Sequence, residues 1–182
     1  MPDEPWPLPA VRLTYEYLKP YGPFSLAEIA FALERDLISE DDTAQILEDQ
    51  LEAESFPFEI WQLVEKLRAS HQKERSAIVR DLMGLAPDAG DPARRWILLL
   101  ARDALNRYER DADVIAVLDQ IWDDYGRPAD FGAYTAIGNV RSTRPILDEN
   151  DLRLIATSFP DRVASRTLLA GLRRHLDQQL GP

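Results

Sequence analysis

Paired carboxylates are the side chains in this sequence best suited to chemistry. Asp119 and Asp123 are four residues apart, and on a helix that spacing places both on one face, where they could bind a hard cation such as Mg²⁺. Asp124 and Asp130 lie close by in the sequence. The same spacing is common on solvated helix faces, so we rank a metal-dependent hydrolase last among the possible functions and predict no metal site.

Other catalytic signatures are missing from the sequence. It contains no nucleophile elbow, phosphate-binding glycine loop, zinc-protease motif or dinucleotide fingerprint. Because it has no cysteine, thiol nucleophiles, disulfides and thiolate metal sites are excluded. His71 and His175 lie among polar residues, as is typical of exposed helix positions. We therefore expect a protein without catalytic activity and without a cofactor.

The charge of the chain is unevenly distributed. The 182 residues include 32 acidic and 21 basic side chains, for a net charge of −11. Residues 1–60 carry fourteen acidic and three basic side chains, whereas residues 61–182 carry eighteen of each. Nucleic acids and anionic membranes bind basic surfaces, so a net negative charge argues against either of them as the partner. It favours a basic protein partner.

The acidic excess is densest in the helix predicted after Ser39. Acidic side chains in a first turn suit the helix dipole, but those farther along are expected to repel one another at i, i+4 spacing. Charge that costs stability indicates a binding role. The residues that we predict to bind the partner are Glu40, Asp41, Asp42, Glu48, Asp49 and Glu52.

An aromatic cluster provides a second candidate surface. It surrounds the predicted turn Gly126-Arg127-Pro128, and aromatic residues beside arginine are typical of protein interfaces, although also of core packing under a turn. Its members are Trp122, Asp123, Asp124, Tyr125, Phe131 and Tyr134.

The elements that must position these residues are helical throughout. Apolar residues recur with helical spacing, and no strand-like alternation exceeds four residues. Ser25 with Glu28 forms a capping-box pattern, and two capped helices close together predict a helical hairpin. The first four predicted helices start at Pro9, Ser25, Ser39 and Phe56. Five more are predicted over residues 71–82, 92–108, 111–125, 148–158 and 162–180.

These patterns predict an all-α fold of eight to ten short helices. No repeat period recurs, so residues 1–182 are expected to form a single irregular domain, with residues 1–8 as a disordered tail. The longest apolar run covers only residues 96–101, far short of the ~20 residues that cross a bilayer, and no secretory signal is evident. The expected location is the cytoplasm.

Several motifs resemble a bacterial family, domain of unknown function 2247. The similarity begins at Tyr15-x-x-Leu18-Lys19-x-Tyr21 and continues through residues 24–30 and 37–39. It resumes at residues 96–100, at Tyr108, and at the segment Ile121-Trp122-Asp123-Asp124-Tyr125-Gly126-Arg127-Pro128 with Phe131. Trp122 and Arg127 depart from the family pattern, which has Tyr and an aromatic residue there. The resemblance implies a helical fold and a bacterial origin, and no catalytic residues.

The sequence favours a binding protein. We predict an immunity-type protein that neutralises a basic toxin or effector through its acidic helices, by analogy with small acidic helical proteins encoded beside toxin genes. The alternative is a helical adaptor or scaffold that binds through the aromatic turn near Trp122. Oligomeric state is left open.

Overall fold

Helices form every regular element of the described structure. The computed structural model describes residues 11–53, 58–69, 74–86, 90–125 and 162–181. Within these ranges it contains eight α-helices, one 3₁₀ turn and no strand, which confirms the predicted all-α fold. The elements are α1 (Tyr15–Leu18), the 3₁₀ turn (Lys19–Tyr21), α2 (Leu26–Glu34), α3 (Glu40–Ala53), α4 (Phe58–Ala69), α5 (Arg75–Leu85), α6 (Pro92–Arg107), α7 (Asp111–Asp124) and α8 (Arg162–Leu180).

The chain divides into two compact units, residues 1–96 and residues 97–182. The single-domain expectation stays a prediction. In the first unit α2 packs mainly on α5 and α3 mainly on α4, while α4 also contacts α5. The predicted hairpin between α2 and α3 is therefore not the main packing, since those two helices touch only lightly. The pair α3–α4 is nested, in chain order, within the pair α2–α5.

Local hydrogen bonds explain where the first helices begin. Ser25 accepts from the Glu28 amide at 3.2 Å and its own amide donates to the Glu28 carboxylate at 2.8 Å, so the predicted capping box is present. Helix α1 begins at Tyr15, where Thr14 caps it, and residues 11–14 before it are not helical. The preceding Leu13 is not helical and donates its amide to the Leu37 carbonyl at 2.7 Å.

The connection from α2 to α3 turns through a left-handed residue. Asp36 has a φ of 59°, a conformation that Asp and Asn tolerate better than most side chains. This turn lets the Leu37 amide donate back to the Ala32 carbonyl at 2.9 Å. It also sets Ser39 at the position that caps α3, where its hydroxyl accepts from the Asp42 amide at 3.0 Å.

The core of the first unit is mainly aliphatic and also includes the aromatic residues Tyr15, Phe24 and Trp96. Trp96 is fully buried, and its indole N–H donates to the Glu28 carbonyl at 2.8 Å. On α4, Trp61 lies away from the inner face and is 47% exposed. It lies about 100° around the helix from Ile60, so the buried face is instead formed by Ile60, Leu63, Val64 and Leu67.

The second unit contains the most continuously buried helical segment. From Ile97 to Leu105 every side chain is buried, as the apolar run predicted. Arg102 is one of these buried residues. Its guanidinium donates to the Asp177 carboxylate at 2.6 Å and to the Gly181 carbonyl at 2.9 Å. Helix α8 contacts α7, and it buries Leu169, Leu172 and Leu176.

Some predictions lie outside the described residues. These are the disordered tail over residues 1–8, the start of a helix at Pro9 and the helix over residues 148–158. None of the described helices is long and apolar enough to span a membrane.

Candidate functional site

Helix α3 carries most of the residues predicted to bind a partner, and the first unit's own cations contact several of them. Arg75 of α5 donates to Glu40 at 2.8 Å and to Asp36 at 2.7 Å. Asp36 also accepts two bonds from Arg12, at 2.6 and 2.7 Å. The pKa of Asp36 is lowered, first by the hydrogen bond from Arg12 and then by Arg75. Glu40 thus belongs to a network that joins the N-terminal segment, the α2–α3 turn and α5.

Farther along α3, two more carboxylates have partners. Glu48 accepts two bonds from Arg68 of α4, at 2.5 and 2.8 Å. Asp49 accepts from the Tyr15 hydroxyl and lies 3.8 Å from the Lys19 ammonium. The repulsion expected along this helix is therefore offset by cations from α4, α5 and the 3₁₀ turn, which the sequence alone could not place beside it.

The remaining acidic residues of α3 differ in exposure. Asp42 is tied into the fold, because it accepts from the Tyr15 amide at 2.7 Å and bonds the Ser39 hydroxyl. Asp41 is exposed, as is Gln45 one turn later. Glu52 lies on the helix, and its side chain is outside the described part. Asp41, Gln45 and Asp49 form the outward strip of α3, spaced four residues apart and all exposed.

A pocket opens beside this strip. It has a volume of about 240 Å³ and lies between α1, residues 19–24 and α3. Its apolar wall is formed by Leu18, Pro23, Phe24 and Ile46. Three of these side chains, those of Leu18, Phe24 and Ile46, are buried, so the wall is an extension of the core.

The polar groups of the pocket are few and lie close together. Tyr15, Lys19 and Asp49 line it, with the Lys19 ammonium 5.2 Å from the centre of the Tyr15 ring. Hydrogen bonding to Tyr15 and the nearby carboxylates of Asp49 and Glu16 raise the pKa of Lys19 above its ordinary value. Lys19 is therefore fully charged at neutral pH. An apolar wall with a small set of convergent polar groups is the usual form of a small-ligand site.

Two side chains fix the loop that forms one side of the pocket. Gln50 of α3 accepts from the Phe24 amide at 2.9 Å and donates to the Phe24 carbonyl at 2.8 Å. Arg95 donates to the Pro23 carbonyl at 2.7 Å and to the Tyr21 carbonyl, and its guanidinium lies 4.5 Å from the Phe24 ring centre. The Gly22–Pro23 peptide bond is cis. The wall is thus held by hydrogen bonds from both α3 and α6.

Sequence reasoning missed this pocket, although it identified Asp49. Pro20 and Gly22 are typical of the end of a helix, and Gln50 and Arg95 belong to no motif. The one signal in the sequence was the aromatic residue Phe24 following a Gly-Pro pair close to Lys19. Nothing in that pattern predicts hydrogen bonds from side chains 26 and 72 positions away from the residues that they hold.

The aromatic turn is described only in part. Trp122 is buried, Tyr125 is half-buried, and Asp123 and Asp124 are exposed. Phe131 and Tyr134 lie outside the described residues. Trp122 therefore contributes to the core of the second unit, and its ring is not presented at the surface.

The carboxylates considered for a metal lie on α7. Asp119 and Asp123 are one turn apart there, and Asp130 is outside the described part of the chain. Over the residues that the structure covers, no group of three or more histidine or acidic side chains is placed to hold a metal ion. His175 of α8 is half-buried, and His71 is not among the described residues.

Comparison with known proteins gives one match. No curated protein and no solved structure matches the chain. The family described as an uncharacterised protein conserved in bacteria, DUF2247, matches residues 15–158, which include the whole of the pocket and α3 through α7. The match covers well over half of the 182 residues and agrees with the resemblance found in the motifs. The chain belongs to the DUF2247 family.

Proposed function

We propose that the protein is a cytoplasmic bacterial binding protein of the immunity type. It neutralises a basic toxin or effector by covering that partner's functional surface with α3 and its surroundings. The observation that carries the proposal is the location of the charge. The first compact unit has nineteen acidic and ten basic side chains, a net charge of −9, which leaves −2 for the second.

The internal ion pairs of α3 support this role in a specific way. Glu40 and Glu48 are held in fixed positions by Arg75 and Arg68, so a partner meets carboxylates that are already ordered. Binding then costs less side-chain entropy, which is the usual benefit of preorganisation. Asp41 and Asp49 point outward and supply the negative field that accelerates encounter with a basic surface.

A growth assay tests the proposal. The protein is co-expressed with the product of the neighbouring gene, and rescue from toxicity is scored. Gln45 is a suitable position for introducing a charge, because its side chain is exposed between Asp41 and Asp49. The variant Q45K adds a positive charge, and Q45E places a carboxylate of nearly the same shape at that position. We expect D41K/Q45K to abolish rescue and weaken affinity at least tenfold, while Q45E retains both.

A matched control uses the second unit. The variant D123K/D124K reverses two exposed charges on α7. It is expected to rescue growth as the unaltered protein does. If D41K/Q45K still rescues, or if only D123K/D124K fails, the α3 surface is not the binding surface and the proposal is wrong. Absence of toxicity in the neighbouring gene product, or of rescue by the unaltered chain, would contradict the immunity role. Circular dichroism verifies that each variant is folded.

A further inference from the structure

The size of the pocket beside α3 limits what it can hold. Its volume of about 240 Å³ is somewhat below the roughly 300 Å³ at which pockets for drug-sized ligands start. The part of a ligand that enters the pocket is therefore about as big as one large amino-acid side chain.

The chain itself shows which charge the pocket favours. The Lys19 ammonium lies over the Tyr15 ring at 5.2 Å and faces the Asp49 carboxylate at 3.8 Å. A ring face and a carboxylate are the two groups that attract a positive charge most strongly at short range. Lys19 is the only cationic residue that lines the pocket as described, and the carboxylate of Glu16 lies near it. The site is thus electrostatically suited to a cation.

The ion pair between Lys19 and Asp49 is weak. Its side chain is 58% exposed, and 3.8 Å to Asp49 is longer than the ~2.7–3.2 Å of a hydrogen bond. Exposed ion pairs of this kind contribute little, because water screens them and ordering a long side chain costs entropy. A second cation can therefore take the position beside Asp49 while the lysine swings into solvent. Pro23, Phe24 and Ile46 offer an apolar wall to the body that carries such a cation.

We propose that this pocket is a binding site for a small organic cation, an ammonium or guanidinium group carried on an apolar body of side-chain size. The charged group contacts Asp49 and the Tyr15 ring, and the body packs against Pro23, Phe24 and Ile46. The cation comes from a free amine or from a basic side chain of a protein. The inference goes beyond the proposed function, because a free amine requires no protein partner.

Titration of the full chain, labelled with ¹⁵N and followed by NMR at constant ionic strength, tests the inference. The probes are phenethylammonium as a free amine and N-acetyl-arginine methylamide as a basic side chain. Two matched probes, 2-phenylethanol and phenylacetate, have no charge and a negative charge. We expect at least one cation to give saturable shifts at residues 15–24 and 46–50, and the uncharged and anionic probes to bind at least tenfold more weakly.

Three variants sharpen the test. D49N removes the charge but keeps an oxygen that can accept from the Tyr15 hydroxyl, and it should weaken cation binding at least tenfold. K19Q removes the resident competitor and should strengthen cation binding severalfold. D41N removes an identical charge from α3 outside the pocket and should leave the affinity within twofold. Because K19Q alters an exposed side chain, it tests the inference even if D49N fails to fold.

The outcomes separate clearly. Saturation by phenethylammonium alone supports a free amine as the source, and saturation by the blocked arginine alone supports a protein side chain. The inference is overturned if neither cation saturates, if D41N and D49N weaken binding equally, if K19Q weakens cation binding, or if phenylacetate binds as tightly as the cations. Failure of growth rescue would not affect this result, so the two proposals can fail independently.

Discussion

At the scale of single residues, Asp36 performs two tasks that a substitution can separate. Its left-handed backbone turns the chain into α3, and its carboxylate binds Arg12 and Arg75. Asn tolerates the same backbone conformation, whereas Ala does not. We expect D36N to lower the free energy of unfolding by about 1 kcal/mol or less, since the ion pairs are partly exposed. D36A should cost about 1–2 kcal/mol more.

The same residue makes stability depend on pH in the acid range. Arg12, and after it Arg75, lowers the pKa of Asp36 below 3.8 in the folded protein. The stabilisation is therefore fully present above the unfolded pKa and is lost as the pH falls through the lower, folded value. Urea unfolding of the unaltered protein and D36N should differ most above pH 4 and converge below it. A difference that stays constant down to pH 2 would contradict this assignment.

Two tryptophans give a matched pair for a second test at this scale. Trp96 is fully buried with its N–H bonded to the Glu28 carbonyl, whereas Trp61 is 47% exposed. W96F removes the indole hydrogen bond and part of a fully buried side chain and should cost about 1–3 kcal/mol, while W61F should stay within about 0.5 kcal/mol. Chemical denaturation measures both. Equal losses would show that Trp61 contributes to the core after all.

At the scale of elements, helix caps are expected to contribute more than the charges nearby. Ser25 and Ser39 each cap a helix, and the Ser39 hydroxyl also bonds Asp42, which holds the Tyr15 amide. We expect S25A to cost about 1 kcal/mol and S39A at least as much, within the ~0.5–2 kcal/mol range of N-caps. Because Ser76 is exposed within α5, S76A is the control.

S76A should be neutral or slightly stabilising, because alanine is the better helix former. Denaturant midpoints of the three variants provide the measurement. If S39A proves as neutral as S76A, the capping geometry does not stabilise α3.

Local signals explain how much of the fold and site the sequence could predict. Capping and apolar spacing act over three or four residues, so the starts of α2, α3 and α6 could be inferred from residues such as Ser25, Ser39 and Pro92. Helices α2 and α5 are separated by about forty residues of sequence, and their pairing depends on how their side chains fit together. No pattern of neighbouring residues predicts such a fit. The pocket escaped prediction for the same reason, since its loop is held by Arg95.

At the scale of the whole molecule, the uneven charge determines how association responds to salt. A partner drawn to the first unit by its net charge of −9 meets a field that added salt screens. Raising NaCl from about 50 to 500 mM should lower the association rate constant with the proposed basic partner about tenfold or more, with little change in dissociation. Stopped-flow mixing at several salt concentrations measures both constants. A rate constant that does not respond to salt would instead favour an adaptor that binds through apolar contacts.

The stacking of Phe24 on Trp96 carries a practical consequence. The two rings lie 5.2 Å apart at an interplanar angle of 17°, and Phe24 also lines the pocket. An indole that no solvent reaches emits at short wavelength and resists collisional quenchers, whereas the exposed Trp61 does not. Once iodide suppresses the emission of Trp61, the remaining fluorescence includes a chromophore one ring away from the pocket. The protein therefore contains its own optical probe of pocket occupancy, without any attached dye.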